Sequence, residues 1–154
     1  MASYYDDCVT FMLAKAHQTA HGISKKKLEP FGLTPKQYLI LEVLWEEEGL
    51  VIGEISKRIS IDYATLSSLL DRMARNGWIR KDRNPEDKRV WLVCLTEKSK
   101  EKKEALLVEQ EAANRQMTAS FSEAEKLLLF RMLKELRLTD SSLQPKDDKA
   151  NNQK

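Results

Sequence analysis

The chain has little cysteine: two residues in 154, Cys8 and Cys94, far apart and outside any paired motif. That spacing argues against a disulfide framework and suits a reducing cytoplasm. Glycine is scarce too, at five residues, while 32% of the chain is charged, a balance that favours helices over an all-β fold. No apolar run approaches the ~20 residues a membrane span needs, so no membrane contact is expected. The first residues include acids in place of a basic signal-peptide start, and the expected location is the cytosol. An excess of either charge is also missing, since 26 basic and 24 acidic residues leave a net +2. Whole-chain electrostatics therefore do not announce a polyanionic partner; only local clustering can. The length predicts one compact domain with extensions.

Clustering is present in one stretch, residues 60–91. Asp62 is placed to cap a helix, and behind it Leu66, Leu69, Leu70 and Met73 recur on one apolar face. The other face carries Thr65, Ser68, Arg72 and Arg75, with Tyr63 and Ser67 beside them near the helix start. Asn76-Gly77 stops the helix. Two strand-like runs follow, 78–83 and 89–95, joined by a polar turn over 84–88. Trp91, Val93 and Leu95 are expected to face inward. From Arg72 to Arg89 seven Lys or Arg stand against three acids, a local excess that suits a polyanion.

A polar-faced helix followed by a basic hairpin is the working part of a winged helix-turn-helix. Its candidate DNA contacts are Tyr63, Thr65, Ser67, Ser68, Arg72, Arg75, Arg83, Asp87, Lys88 and Arg89. Hydroxyls and the Tyr63 ring at the helix start can read base edges, while Arg72 can reach a guanine or a phosphate. The plain alternative is a solvated face of an ordinary amphipathic helix, which leaves the hairpin without a purpose.

The flanks are predicted to be helical. Tyr5, Val9, Met12, Leu13, Ala16, Ala20 and Ile23 form a stripe over 4–28 with a period near 3.5, which wants a partner helix. Thr34-Pro35-Lys36-Gln37 is a capping box with proline at the first helical position. The helix it opens, through Trp45, is apolar nearly all round and so should be buried on every side. Leu50-Val51 is expected as a short strand beside the hairpin, and 53–59 as the first helix of the helix-turn-helix, with Val51 in place of a polar cap. Thr96 should cap one long charged helix, about 97–118, that presents Leu106, Ala113 and Met117. Ser122 and Glu125 should cap a final helix with Leu128, Leu129, Met132, Leu133 and Leu136 on one face. The tail, 139–154, has almost nothing to bury and is expected to be disordered.

Residues 5–137 resemble the MarR (multiple antibiotic resistance regulator) family. The resemblance is carried by DYATLSSLLDRMARNGWI, by RNPEDKRVWLVCLTEKS with its Asp-x-Arg at Asp87 and Arg89, and by LTPKQYLILEVLW. It implies a mainly α fold with a small β-hairpin wing. A dimerisation helix and linker (1–33), a DNA-binding lobe (34–96) and C-terminal dimerisation helices (97–138) would precede the tail. It further implies an obligate homodimer on palindromic double-stranded DNA, with Arg89 entering the minor groove. By the same resemblance the regulator is a repressor released by a small aromatic or anionic effector. The effector would sit where the dimer helices meet the DNA-binding lobe, and His17, Tyr38 and Trp45 are its candidate lining.

Other chemistry finds less support. His17 and His21 have metal-like spacing but are the only histidines, and no nearby cysteine completes a tetrahedral site, so no metal or cofactor is expected. Parts of the chain resemble the hydroperoxide-sensing branch of the family. Aligned on LTPKQY, however, the reactive-cysteine position falls on Thr10 and not on Cys8. Asp6 and Asp7 beside Cys8 would oppose thiolate formation. No Gly-rich phosphate loop and no nucleophilic triad pattern asks for an enzyme. A hydroperoxide sensor and a protein–protein adaptor of the same fold remain the alternatives.

Overall fold

A computed structural model describes Tyr5 and residues 7–138; the expected disordered tail lies outside the described residues. Among the described residues, seven helices and a three-stranded sheet follow one another. They are α1 Val9–Leu28, a 3-10 turn Glu29–Phe31, α2 Pro35–Glu46, β1 Leu50–Val51, α3 Ile52–Ile59, α4 Tyr63–Arg75, β2 Ile79–Arg83, β3 Trp91–Leu95, α5 Glu97–Glu101, α6 Lys103–Met117 and α7 Glu123–Leu138.

Short-range chemistry sets most of these boundaries. Thr34 Oγ1 accepts from Gln37 N at 3.3 Å and Gln37 Oε1 accepts from Thr34 N at 2.9 Å, so two orphan amides at the start of α2 are satisfied. Ser122 and Glu125 close the same kind of box on α7. At α3, Val51 stands at the cap with no side chain to offer, and Glu54 reaches back to its N–H at 3.3 Å. Gly77, at φ +72°, makes the left-handed turn that ends α4 and starts the hairpin.

The strands run in the order β1-β3-β2, antiparallel throughout. The core joins Leu28, Tyr38, Ile40, Leu41, Leu44, Ile55, Leu66, Leu70, Met73, Trp78, Ile79, Val93, Leu95 and Leu106. Helix α2 runs through it, against α1 on one side and α3 and β3 on the other. That central place accounts for its apolar surface, though Leu39 remains exposed.

Two sequence expectations need correction. The helix expected over 97–118 is two helices, broken at Lys102. No proline or glycine forces the break; it separates two sets of anchors. Helix α5 is tied to the base of the hairpin, where Thr96 Oγ1 donates to Gly77 O at 2.7 Å and Lys98 Nζ to Asn76 O at 2.9 Å. Helix α6 packs instead along α1, through Leu106 and a Lys27–Glu109 ion pair at 3.4 Å. The second correction concerns Trp91, which is 43% exposed and not inward. The two-residue β1 pairs only with Leu92 and Val93, so β3 leaves the covered part of the sheet before it reaches Trp91.

Candidate nucleic-acid interface

Helix α4 divides as its periodicity requires. Leu66, Leu70 and Met73 are fully buried and Leu69 packs beside them, which turns Thr65, Ser68, Arg72 and Arg75 to solvent as one stripe. Ser67 is half-buried on the flank of that stripe. Tyr63 is exposed at the first helical position, off the stripe. Asp62 Oδ1 accepts from Thr65 N at 2.9 Å. The Thr65 side chain, and after it this backbone bond, hold the Asp62 carboxyl below the usual carboxylate range. The helix start is thus ordered, with Ser68 exposed one turn further on.

The hairpin stands beside α4 and is tied to it. Lys81 Nζ of β2 donates to Asp71 of α4 at 2.5 Å, which lowers the Asp71 pKa and links the wing to the helix. At the tip, Asn84 Oδ1 accepts from Glu86 N at 2.9 Å and Asn84 N donates to Val90 O at 2.9 Å. Asp87 accepts from Arg89 N at 3.0 Å and from Arg89 Nε at 3.2 Å, and its carboxyl is held low by the first of these and then the second. The Arg89 side chain is nevertheless 91% exposed, and Lys88 is exposed beside it. Arg83 is engaged differently: its guanidinium lies 3.8 Å from the centroid of the Trp91 ring.

The basic excess of this stretch is therefore partly used inside the protein. Arg80 pairs with Asp82 and, at 3.9 Å, with Glu48, while Lys81 is taken by Asp71. Glu48 also accepts from Leu95 N at 3.0 Å and pairs with Lys100 at 3.5 Å, pinning the far end of the sheet. Sequence reading missed Asp71, Glu48 and the Arg83–Trp91 stack because each partner lies eight or more residues away, with no local pattern to mark it.

The candidate effector residues lie on α1 and α2, which pack against each other. Tyr38 and Trp45 meet edge to face, ring centroids 5.9 Å apart, and Lys103 Nζ lies 5.8 Å from the Trp45 centroid. Tyr38 Oη and Trp45 Nε1 are both buried, and neither makes a hydrogen bond of good geometry. Glu42, one turn from Tyr38, lies close enough to raise the phenol pKa further beyond what burial does. His17, by contrast, pairs with His21 along α1 at 5.9 Å. Cys8 is exposed at the N-cap of α1 and Cys94 is buried in β3. Among the described residues, no three His, Cys, Asp or Glu gather as metal ligands.

Comparison with known proteins places this geometry. The model of the MarR family matches residues 33–91. The HTH-type transcriptional regulator YwoH of Bacillus subtilis is 32% identical over 127 residues, covering 79% of this chain and 92% of its own length. The organic hydroperoxide resistance transcriptional regulator of the same species is 38% identical over 73 residues, 47% of this chain and 50% of that protein. The match thus spans about half the length of that relative. The crystal structure of a mutant Escherichia coli MarR complexed with operator DNA superposes with a TM-score of 0.79 at 22% identity, covering 88% of this chain and 99% of that one. Family model, curated relative and fold agree, and the chain belongs to the MarR family of DNA-binding, winged helix-turn-helix transcriptional regulators.

Proposed function

We propose that the protein works as a homodimeric repressor that grips a palindromic operator with two copies of α4 and the wing, and leaves it when a small molecule binds. The observation that carries this reading is the pairing of an exposed Thr65–Ser68–Arg72–Arg75 stripe with an Asp71–Lys81 tie that sets the wing beside it. Dimerisation is supported by apolar side chains left exposed on α1 (Val9, Met12, Leu13) and α7 (Leu128, Met132, Leu133, Leu136). The effector site in this reading lies at Tyr38 and Trp45, whose polar atoms are buried without a well-formed hydrogen bond. Effector binding favours a spacing of the two α4 helices that does not fit the operator.

Selection of bound duplexes from a random library tests the reading. The selected sites should be two-fold symmetric, with half-sites about 10 bp apart. Ser68→Ala and Arg72→Ala should each lose about 1–3 kcal/mol more on the selected site than on random duplex. Absence of salt-dependent duplex binding would favour the adaptor reading instead.

The named function of the hydroperoxide resistance relative, together with the exposed Cys8 at the α1 N-cap, motivates a second reading as a peroxide sensor. Cys8→Ser decides between them. Under the main reading this substitution leaves duplex release unchanged in the presence of organic hydroperoxide. Release of the wild type alone would establish the sensor.

A further inference from the structure

We propose that Arg83 is a positioning residue of the wing: held flat on Trp91, it fixes the Lys88–Arg89 peptide and so aims Arg89. The proposal rests on the reading of the wing as a DNA contact, and it removes Arg83 from the set of side chains that touch DNA directly.

The ladder between β2 and β3 ends at the pair Arg83 and Trp91, beyond which the chain is loop. Across this last pair the guanidinium covers the indole at 3.8 Å, and its Nη1 donates to Lys88 O at 2.7 Å. The carbonyl of Lys88 and the N–H of Arg89 belong to one planar peptide unit. Arg83 takes the carbonyl end of that unit, and Asp87 Oδ1 takes the N–H end at 3.0 Å. A peptide gripped at both poles resists rotation, and together with the Arg89 Nε bond to Asp87 at 3.2 Å this biases the direction in which Arg89 projects before DNA arrives. This is the preorganisation that an exposed loop otherwise lacks.

Only arginine suits the task. Its planar fork stacks on the indole with one face while its N–H groups point along the ring plane toward a carbonyl; a lysine ammonium has no such plane. Trp91, exposed and outside the core, has its physical account here as the platform.

Two measurements test the proposal. In a double-substitution cycle, wild type, Arg83→Ala, Arg89→Ala and the double variant are titrated with a short AT-rich duplex at several salt concentrations. If Arg83 acts through Arg89, each single variant weakens binding and lowers the salt slope by about one per wing. The double variant then falls within about twofold of Arg89→Ala. Arg83→Lys should not restore binding. A combined loss equal to the product of the two single losses makes Arg83 an independent contact and overturns the proposal. In the second measurement, amide NMR without DNA, Arg83→Ala should shift the Arg89 resonance and speed its exchange, while amides of the α2 core stay in place. An Arg89 amide that does not respond overturns the positioning role. Arg89→Ala binding as tightly as wild type fails the wing reading itself, and the aiming of Arg89 at DNA fails with it.

Discussion

Tyr38 and Glu42 sit one turn apart on α2, and each makes the other's charged form costly. Burial, followed by the nearby Glu42 charge, holds the Tyr38 phenol well above its ordinary value. Burial also raises the Glu42 carboxyl; the Tyr38 hydroxyl opposes that rise and the Glu46 charge adds to it. A carboxyl whose folded pKa exceeds its unfolded value binds its proton more tightly in the folded chain. Its contribution to stability is complete below the unfolded pKa and is lost as pH rises through the folded one. Glu42→Gln, neutral at every pH, should therefore melt above wild type near neutrality, with the difference closing toward acid. Thermal melts across that range check the sign, and a variant less stable than wild type near neutrality would show that the Tyr38 interaction outweighs desolvation.

At the level of elements, the proposed DNA surface consists of two parts with different origins. Helix α4 has its exposed stripe because its opposite stripe is buried, and that division follows from residue spacing alone. The wing stands on the core only at its base, through Ile79, Val93 and Leu95. Beyond that, polar contacts hold it: Lys81 to Asp71 on its flank, Arg83 to Trp91 and Lys88 at its neck, Asp87 to Arg89 at its tip. The break at Lys102 belongs to the same scale. Ahead of it α5 follows the wing through Thr96 and Lys98; behind it α6 follows α1. One covalent segment thus joins the base of the hairpin to α1.

For the whole molecule, the question is what covers α1 and α7. Helix α7 buries none of its residues within one chain, although Leu128, Met132, Leu133 and Leu136 lie along it, and α1 leaves Val9, Met12 and Leu13 open. Apolar faces of this extent mark interaction surfaces. Leu133→Glu should leave each chain folded, because Leu133 is already exposed in the single chain. If α7 lies in the dimer interface, the new carboxylate is buried unpaired at two symmetric places, at several kcal/mol each. The dimer dissociation constant should then rise by about a hundredfold or more. Sedimentation equilibrium reads this directly; a wild type that is monomeric and folded at micromolar concentration would sink the homodimer.

Adjacent residues settled much of this protein in advance. Thr34 with Gln37, Asp62 with Thr65, Ser122 with Glu125 and Gly77 at the end of α4 act within one helical turn, so their effect is written in the sequence and recurs in the structure. The buried stripe of α4, the hairpin and the short strand at Leu50-Val51 were legible for the same reason. Tertiary structure decided which charges remain free. Lys81, Arg80 and Arg83 count toward a basic patch in the sequence, yet Asp71, Asp82, Glu48 and the Trp91 ring engage them. Arg89, though paired with Asp87, keeps a 91% exposed side chain, and Arg72, Arg75 and Lys88 are exposed as well. Tertiary structure also turned Trp91 outward, because a two-residue β1 does not extend the sheet that far. A cap needs only its own turn, whereas an ion pair or a stack needs two chain segments brought together, and only the finished fold brings them together.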